Sequence, residues 1–216
     1  FLLMVEIVAE ISCNHNKSID ILDGILDDLL PSEDVTCVKL QAFKASSCTS
    51  KQRAFALDRG PWSGHYLYDL MVEAETPLNL INHAAARIRE NQKKLMLSIN
   101  SWGDLELISH LQPDYIKLPS PESLDVSLAK KVLSHGYNLV ISTGVISDLE
   151  VEEVVSQLSH VINASNSLTI LHCVSQYPTD FSNVNLCRLN IFKSIAPFAS
   201  MGISDHSPGD HVPLLA

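Results

Sequence analysis

The sequence predicts an α/β chain built on a parallel sheet, either a barrel or a doubly wound sheet. Three observations lead there. Short β-branched apolar runs alternate with amphipathic stretches of helical length; each apolar run turns polar in its last residues; and 216 residues suffice for one sizeable core. A single domain is expected, with no internal repeat and no interdomain linker.

Taken in order, the first strand runs from Glu6 to Ser12. The apolar opening FLLMVEIVAEI has no basic leader and no small-residue cleavage site and merges into that strand, so it reads as core. A helix near Ile19 to Leu30 follows, then a strand from Thr36 to Phe43. Lys44 to Glu75 exceeds the usual βα connection, and its RGPWSGHYLYD stretch is expected to be a lid or substrate loop. Helix Pro77 to Gln92, strand Lys94 to Asn100, helix Leu105 to Leu111, strand Tyr115 to Ser120, helix Leu124 to His135 and strand Asn138 to Gly144 come next. In the helix from Asp148 to Ile162, Asp148, Glu150 and Glu152 place acid near the positive N-terminal end of the helix dipole. Strand Leu168 to Val174, helix Val184 to Ala196 and strand Met201 to His206 complete the series, with Ser207-Pro208 read as a helix cap. Residue 1 is Phe and the final VPLLA reads as the first turns of a helix, so the chain is expected to be part of a longer polypeptide.

Fifteen Lys and Arg against 25 Asp and Glu give a net charge of −10, which disfavours nucleic acid or an anionic membrane as the main partner. No apolar stretch approaches the length of a membrane span. The five cysteines, Cys13, Cys37, Cys48, Cys173 and Cys187, are scattered and contain no C-x-x-C pair. Neither a disulfide framework nor a zinc cage is indicated, and a cytoplasmic location is expected.

In a parallel βα sheet all strands point one way, so their C-terminal ends gather on one face. Those ends carry Glu10, Asn14, His15, Lys39, Gln41, Ser98, Lys117, Ser120, Glu122, Ser142, Thr143, His172, Ser175, Tyr177, Ser204, Asp205 and His206. Lys39 and Lys117 are the most informative, because an ammonium flanked by Val, Ile and Leu is costly to bury without an anion or a carboxylate. With the hydroxyls and the backbone amides of Ser142-Thr143-Gly144 they form an expected phosphate cradle. Glu10 and Glu122 suit general acid or base work, and His206 suits a divalent metal with Asp205 orienting it.

Several of these residues have an equally simple structural role, whereas His206, displayed just before Ser207-Pro208, reads as functional. Either lysine can pair with Glu10 or Glu122; His172 reads as a hydrogen-bonded core histidine; and Cys13-Asn14-His15 reads as a turn. His65, His83, His110, His135 and His160 are expected mostly at the surface, and Trp62 and Trp102 in packing.

The strand ends resemble the sialic acid synthase family, the NeuB-type N-acetylneuraminate, legionaminate and pseudaminate synthases. VAEISCNHNKS resembles the family's A-E-I-G-x-N-H-x-G-S, CVKLQAFKA its V-K-F-Q-x-F-K, YIKLPSPES its Y-K-I-x-S-G-E and VISTGV its L-S-T-G-M. LHCVSQYPTDFSNVNL and GISDHSPG are similar to L-H-C-T-S-x-Y-P-x-x-x-x-D-V-N-L and G-Y-S-D-H-T-x-G. The chain departs from the pattern at Ser12, at Leu97-Ser98-Ile99-Asn100 in place of S-T-P-F, and at Pro121 in place of the S-G-E glycine.

The resemblance implies a TIM (β/α)8 barrel, with about seven strands in this chain and without the eighth strand or the C-terminal antifreeze-like domain. It implies condensation of phosphoenolpyruvate with the aldehyde of an N-acylated amino sugar, N-acetylmannosamine-like, with release of phosphate, in a homodimer. Lys39, Ser98, Lys117, Ser120, Ser142, Ser175 and Ser204 would hold phosphoenolpyruvate. Glu122 would orient water or move a proton, and Glu10, Gln41, Tyr177 and Asp205 would lie around the sugar or metal. His206 would ligate a divalent metal, manganese by the same resemblance, whose second histidine lies beyond the end of this chain. Two other readings are a decayed or truncated barrel that binds a phosphorylated metabolite or partner without turnover, and an aldolase forming a Schiff base on Lys39 or Lys117.

Overall fold

The computed structural model describes residues 5–53, 55–58 and 62–216. The chain divides into two compact units, Phe1–Asp114 and Tyr115–Ala216.

In the first unit, β1 (Ile7–Glu10), β2 (Val35–Gln41) and β3 (Lys94–Ser98) pair in parallel, each with its sequence neighbour. Cys37, Val38, Lys39 and Leu40 of β2 are all buried, as expected of a strand covered on both faces. The register sets Glu10 beside Lys39 and Gln41 beside Ser98. Strand β1 is shorter than the sequence predicts because Ser12 has φ +53°, outside the extended region.

Helix α1 (Ile19–Leu29) starts where the Ser18 hydroxyl accepts from the Ile21 N–H, and it buries Leu22 and Leu26, four residues apart on one face. After β2 come α2 (Ala45–Cys48), a 3-10 turn (Lys51–Arg53) and α3 (Leu67–Ala74). The segment expected to be one long loop is therefore largely organised. The Leu57 N–H donates to the His65 carbonyl at 3.0 Å, and the Leu57 carbonyl accepts at 2.8 Å from the N–H of Gly64, whose φ is +86°. Arg59, Gly60 and Pro61 of the expected lid lie outside the described residues, and Trp62 is exposed, contrary to its expected packing role.

Helix α4 (Leu78–Glu90) buries Leu80, Ile81, Ala84, Ala85 and Ile88, and its Arg87 forks to Asp23 and Asp27 at 2.7 and 2.6 Å. His83, expected at the surface, is half-buried and paired with Asp23 at 2.6 Å. Helix α5 (Trp102–Ile108) begins earlier than expected because Ser101 caps the Asp104 N–H; a 3-10 turn (Ser109–Leu111) completes it.

In the second unit, β4 (Tyr115–Leu118), β5 (Asn138–Ser142), β6 (Leu168–Cys173) and β7 (Ser200–Ser204) also pair in parallel with their sequence neighbours. Strand β4 stops at Leu118 because Pro119 has no N–H to continue the ladder and Ser120–Glu122 coils into a 3-10 turn. Helices α6 (Val126–Ser134) and α7 (Asp148–Leu158) are capped by Asp125 and by a Ser147/Glu150 capping box.

Helix α8 (Arg188–Ile195) starts later than its apolar pattern predicts. Asn185 has φ +46°, a left-handed conformation that a continuous right-handed helix excludes, and a 3-10 turn (Phe181–Asn183) precedes it. The short α9 (His211–Leu215) is preceded by Asp210, with no side-chain cap bond. Ser207 therefore does not cap it; Ser207 holds Asp205 instead. Among the described residues no helix is long and apolar enough to cross a membrane.

Candidate functional site

The first unit collects four of the expected residues at the ends of its strands. Lys39, 6% exposed, pairs with the Glu10 carboxylate. The other Glu10 oxygen accepts from the Ser12 N–H at 2.9 Å, and Gln41 Nε2 donates to Ser12 Oγ at 3.1 Å. Ser98 is buried beside the Leu40 carbonyl. His15 lies in a turn, as expected, but it is buried: the Lys17 N–H donates to Nδ1 at 3.0 Å, which leaves Nε2–H to donate to Thr76 Oγ1 at 3.1 Å. Burial first, and then the Lys17 charge, hold its pKa below 6.5.

Asp104, which the sequence reading did not single out, is buried and accepts from the Lys44 and Asn100 N–H groups and from the Ser47 and Ser101 hydroxyls. It ties the segment after β2 to the segment after β3. A mid-sequence Asp at a helix start reads as a cap, and nothing local shows that a second loop reaches it.

The second unit gathers the larger group. Lys117 is 8% exposed and makes no ion pair or hydrogen bond to another described residue, and burial lowers its pKa against a smaller opposing pull from Cys173. Ser142 Oγ is buried and has no hydrogen-bond partner among the described residues. Ser120 is buried at the start of its 3-10 turn, and Glu122 ends that turn with one carboxylate oxygen buried.

The expected amide cradle is corrected here. The Thr143 N–H donates to the Leu171 carbonyl at 3.1 Å and the Gly144 N–H to Ser120 Oγ at 3.0 Å, so neither is free for an anion. The Thr143 hydroxyl also turns to the Leu171 carbonyl, at 3.0 Å.

On the neighbouring strand ends, Cys173 Sγ lies 3.9 Å from His206 Nδ1, which is also 3.0 Å from the Val174 carbonyl. The contact with Cys173 raises the His206 pKa against the opposing effect of burial. Burial acts to raise the Cys173 pKa, but His206, Ser120 and Lys117 together leave it below 9.0. The Tyr177 ring, largely exposed, covers His206 at 4.1 Å between centroids. A pocket lined by Cys173, Val174, Ser204, Asp205 and His206 opens beside them, and Ser175 is exposed two residues beyond Cys173, the last residue of β6. His172 is the expected core histidine, 2.5 Å from the Val184 carbonyl.

Toward a metal the second unit supplies one imidazole nitrogen. Asp205 accepts from the Ser207 N–H and Oγ at 3.1 and 2.8 Å, and His206 Nδ1 faces the Val174 carbonyl, which keeps the ring proton there and leaves Nε2 able to ligate. No group of three His, Cys, Asp or Glu side chains that could hold an ion occurs among the described residues.

The chain is 32% identical to the pseudaminic acid synthase of Helicobacter pylori over 98% of its own length, and 27% identical to the N,N'-diacetyllegionaminic acid synthase of Campylobacter jejuni over 97%. It spans 62% and 63% of those two relatives. Among solved structures it superposes on the N-acetylneuraminic acid (sialic acid) synthetase of Leptospira borgpetersenii, determined with citrate, with a TM-score of 0.83 and 22% identity, covering 98% of this chain and 68% of that one. That likeness shows the fold, the TIM-barrel class expected from the strand order, with seven strands among the described residues. The model of the NeuB family matches residues 32–216, and the chain belongs to that family.

Proposed function

We propose that the chain is the catalytic part of a nonulosonic (sialic) acid synthase. It would join the enol carbon of phosphoenolpyruvate to the aldehyde carbon of an N-acylated amino sugar, N-acetylmannosamine-like. Water adds at the carbon that bore phosphate, phosphate departs with the C–O bond, and the former aldehyde oxygen takes up a proton. The observation that carries this reading is the presence of two unsatisfied buried groups on the neighbouring strands β4 and β5 of the second unit. A buried ammonium at Lys117 and a buried hydroxyl at Ser142, neither with a described partner, await an anion that accepts from both.

Family membership supplies the reaction class, and Ser120, Ser175 and Ser204 supply further hydroxyls for the same substrate. For Lys39, Gln41, Ser98 and Glu10 we propose the substrate roles that the family resemblance implies. Glu122 would move the proton or orient the water.

The test is phosphate release by the complete protein with phosphoenolpyruvate, manganese and either N-acetylmannosamine or a diacetamido trideoxy sugar, alongside calorimetric binding of each substrate. Lys117→Ala should weaken phosphoenolpyruvate binding at least about tenfold, and sugar binding far less, because the lost contact is an ammonium facing a phosphate. Equal weakening of both would overturn the assignment. Binding of phosphoenolpyruvate with no release from any sugar would favour a barrel that binds without turnover.

A further inference from the structure

Glycine at position 144 is not there for its backbone freedom, since its φ lies outside the left-handed region that favours glycine. It is there for space. A Cβ built on Gly144 would stand 2.4 Å from Ser175 Oγ, 2.8 Å from Ser120 Oγ and 3.1 Å from Cys173 Sγ. These three side chains come from the segments that follow β4 and from the end of β6 and its loop, so they converge on one hydrogen-bearing α-carbon after β5. Gly144 also donates its N–H to Ser120 Oγ at 3.0 Å, and the Ser120 hydroxyl hydrogen-bonds the Cys173 sulfur on the other side.

We propose that Gly144 is a positioning residue: its missing side chain and its N–H together let the hydroxyls of Ser120 and Ser175 close to a spacing at which both can serve one phosphate-bearing substrate. The inference rests on the proposed function for the identity of that substrate, but not for the packing itself. Any side chain at 144 must displace the hydroxyls from where they stand, because contacts of 2.4 and 2.8 Å to Oγ atoms cannot be absorbed without movement.

The test is a double-mutant cycle in the full chain with Gly144→Ala, Ser175→Ala and both together. Phosphoenolpyruvate affinity by calorimetry should fall about tenfold in Gly144→Ala, with the melting temperature little changed. The double variant, having lost the nearest clashing atom, should bind no more weakly than Gly144→Ala and should recover part of the loss. Affinity within about twofold of the parent, or strict additivity, overturns the proposal. A parent that binds no phosphoenolpyruvate defeats the proposed function, and the packing claim is then read from the thiol. Alkylation of Cys173 by iodoacetamide, in which sulfur displaces iodide, should quicken at least about threefold in Gly144→Ala as its neighbours part, and an unchanged rate overturns the proposal. Failure of Gly144→Ala alone to fold, with the double variant folded, supports the clash. Failure of both overturns it, since the glycine then serves the core.

Discussion

Lys39 is held against the carboxylate of Glu10, its direct register partner on the neighbouring parallel strand, whereas Lys117 has no such carboxylate. Two lysines that look alike in sequence, each inside an apolar strand, thus differ in what offsets the cost of burying the charge. Glu10→Ala takes a carboxylate from an ammonium that is 6% exposed, although Glu10 itself is 40% exposed and partly screened. A loss of about 1–2 kcal/mol is expected in urea unfolding. No loss would mean that Lys39 is satisfied without Glu10.

Lys117 gives a different stability signature. Burial lowers its folded pKa below the ordinary 10.5, so between those two values the unfolded chain holds the extra proton. Stability therefore rises with pH across that window, and the cost of the charge is fully present below it. Lys117→Met should be more stable than the parent near neutral pH, with the gap closing as pH climbs toward 10.5. A gap that stays constant would mean that Lys117 is solvated in the native protein. Phosphoenolpyruvate should stabilise the parent and not the Met variant, by thermal shift.

His15 should make the opposite half of the pH range visible. Its ring accepts from the Lys17 N–H and donates to Thr76, an arrangement only the neutral imidazole can make, and burial holds its pKa below 6.5. Its contribution is complete above 6.5 and is lost as pH falls from there through the folded value, because the unfolded chain protonates first. Relative to His15→Gln, the parent should lose stability as pH drops below 6.5 in denaturant titrations. Parallel curves would place the ring in water.

How much of this was legible in sequence follows from range. Seven parallel strands and the family were readable because alternation, strand-end polarity and motif order are properties of neighbouring residues. Strand and helix ends were less so: Ser12 and Asn185 adopt positive φ, and Pro119 ends a ladder, choices that the apolar pattern does not encode. What could not be read was pairing. Nothing near Lys39 or Lys117 says that one meets Glu10 and the other meets no carboxylate, and nothing near Gly144 says that its amide is taken by Ser120. The turn around His15 was expected, but its burial against Thr76 depends on a residue 61 positions away. Ser207-Pro208 looked like a cap because the residue types fit, but the hydroxyl found the nearer Asp205 carboxylate.

Glu122 closes the 3-10 turn that Ser120 opens, so the proposed proton mover and a proposed phosphate-binding hydroxyl ride on the same short rigid segment. This lets the two roles be separated by a change of one atom type. Glu122→Gln keeps the volume and the buried oxygen position while removing the capacity to give or take a proton. Phosphoenolpyruvate affinity should stay within about twofold of the parent and the phosphate-release rate should fall about a hundredfold. A variant that loses affinity and rate together would make Glu122 part of the scaffold that holds Ser120, and one that keeps its rate would remove it from the chemistry.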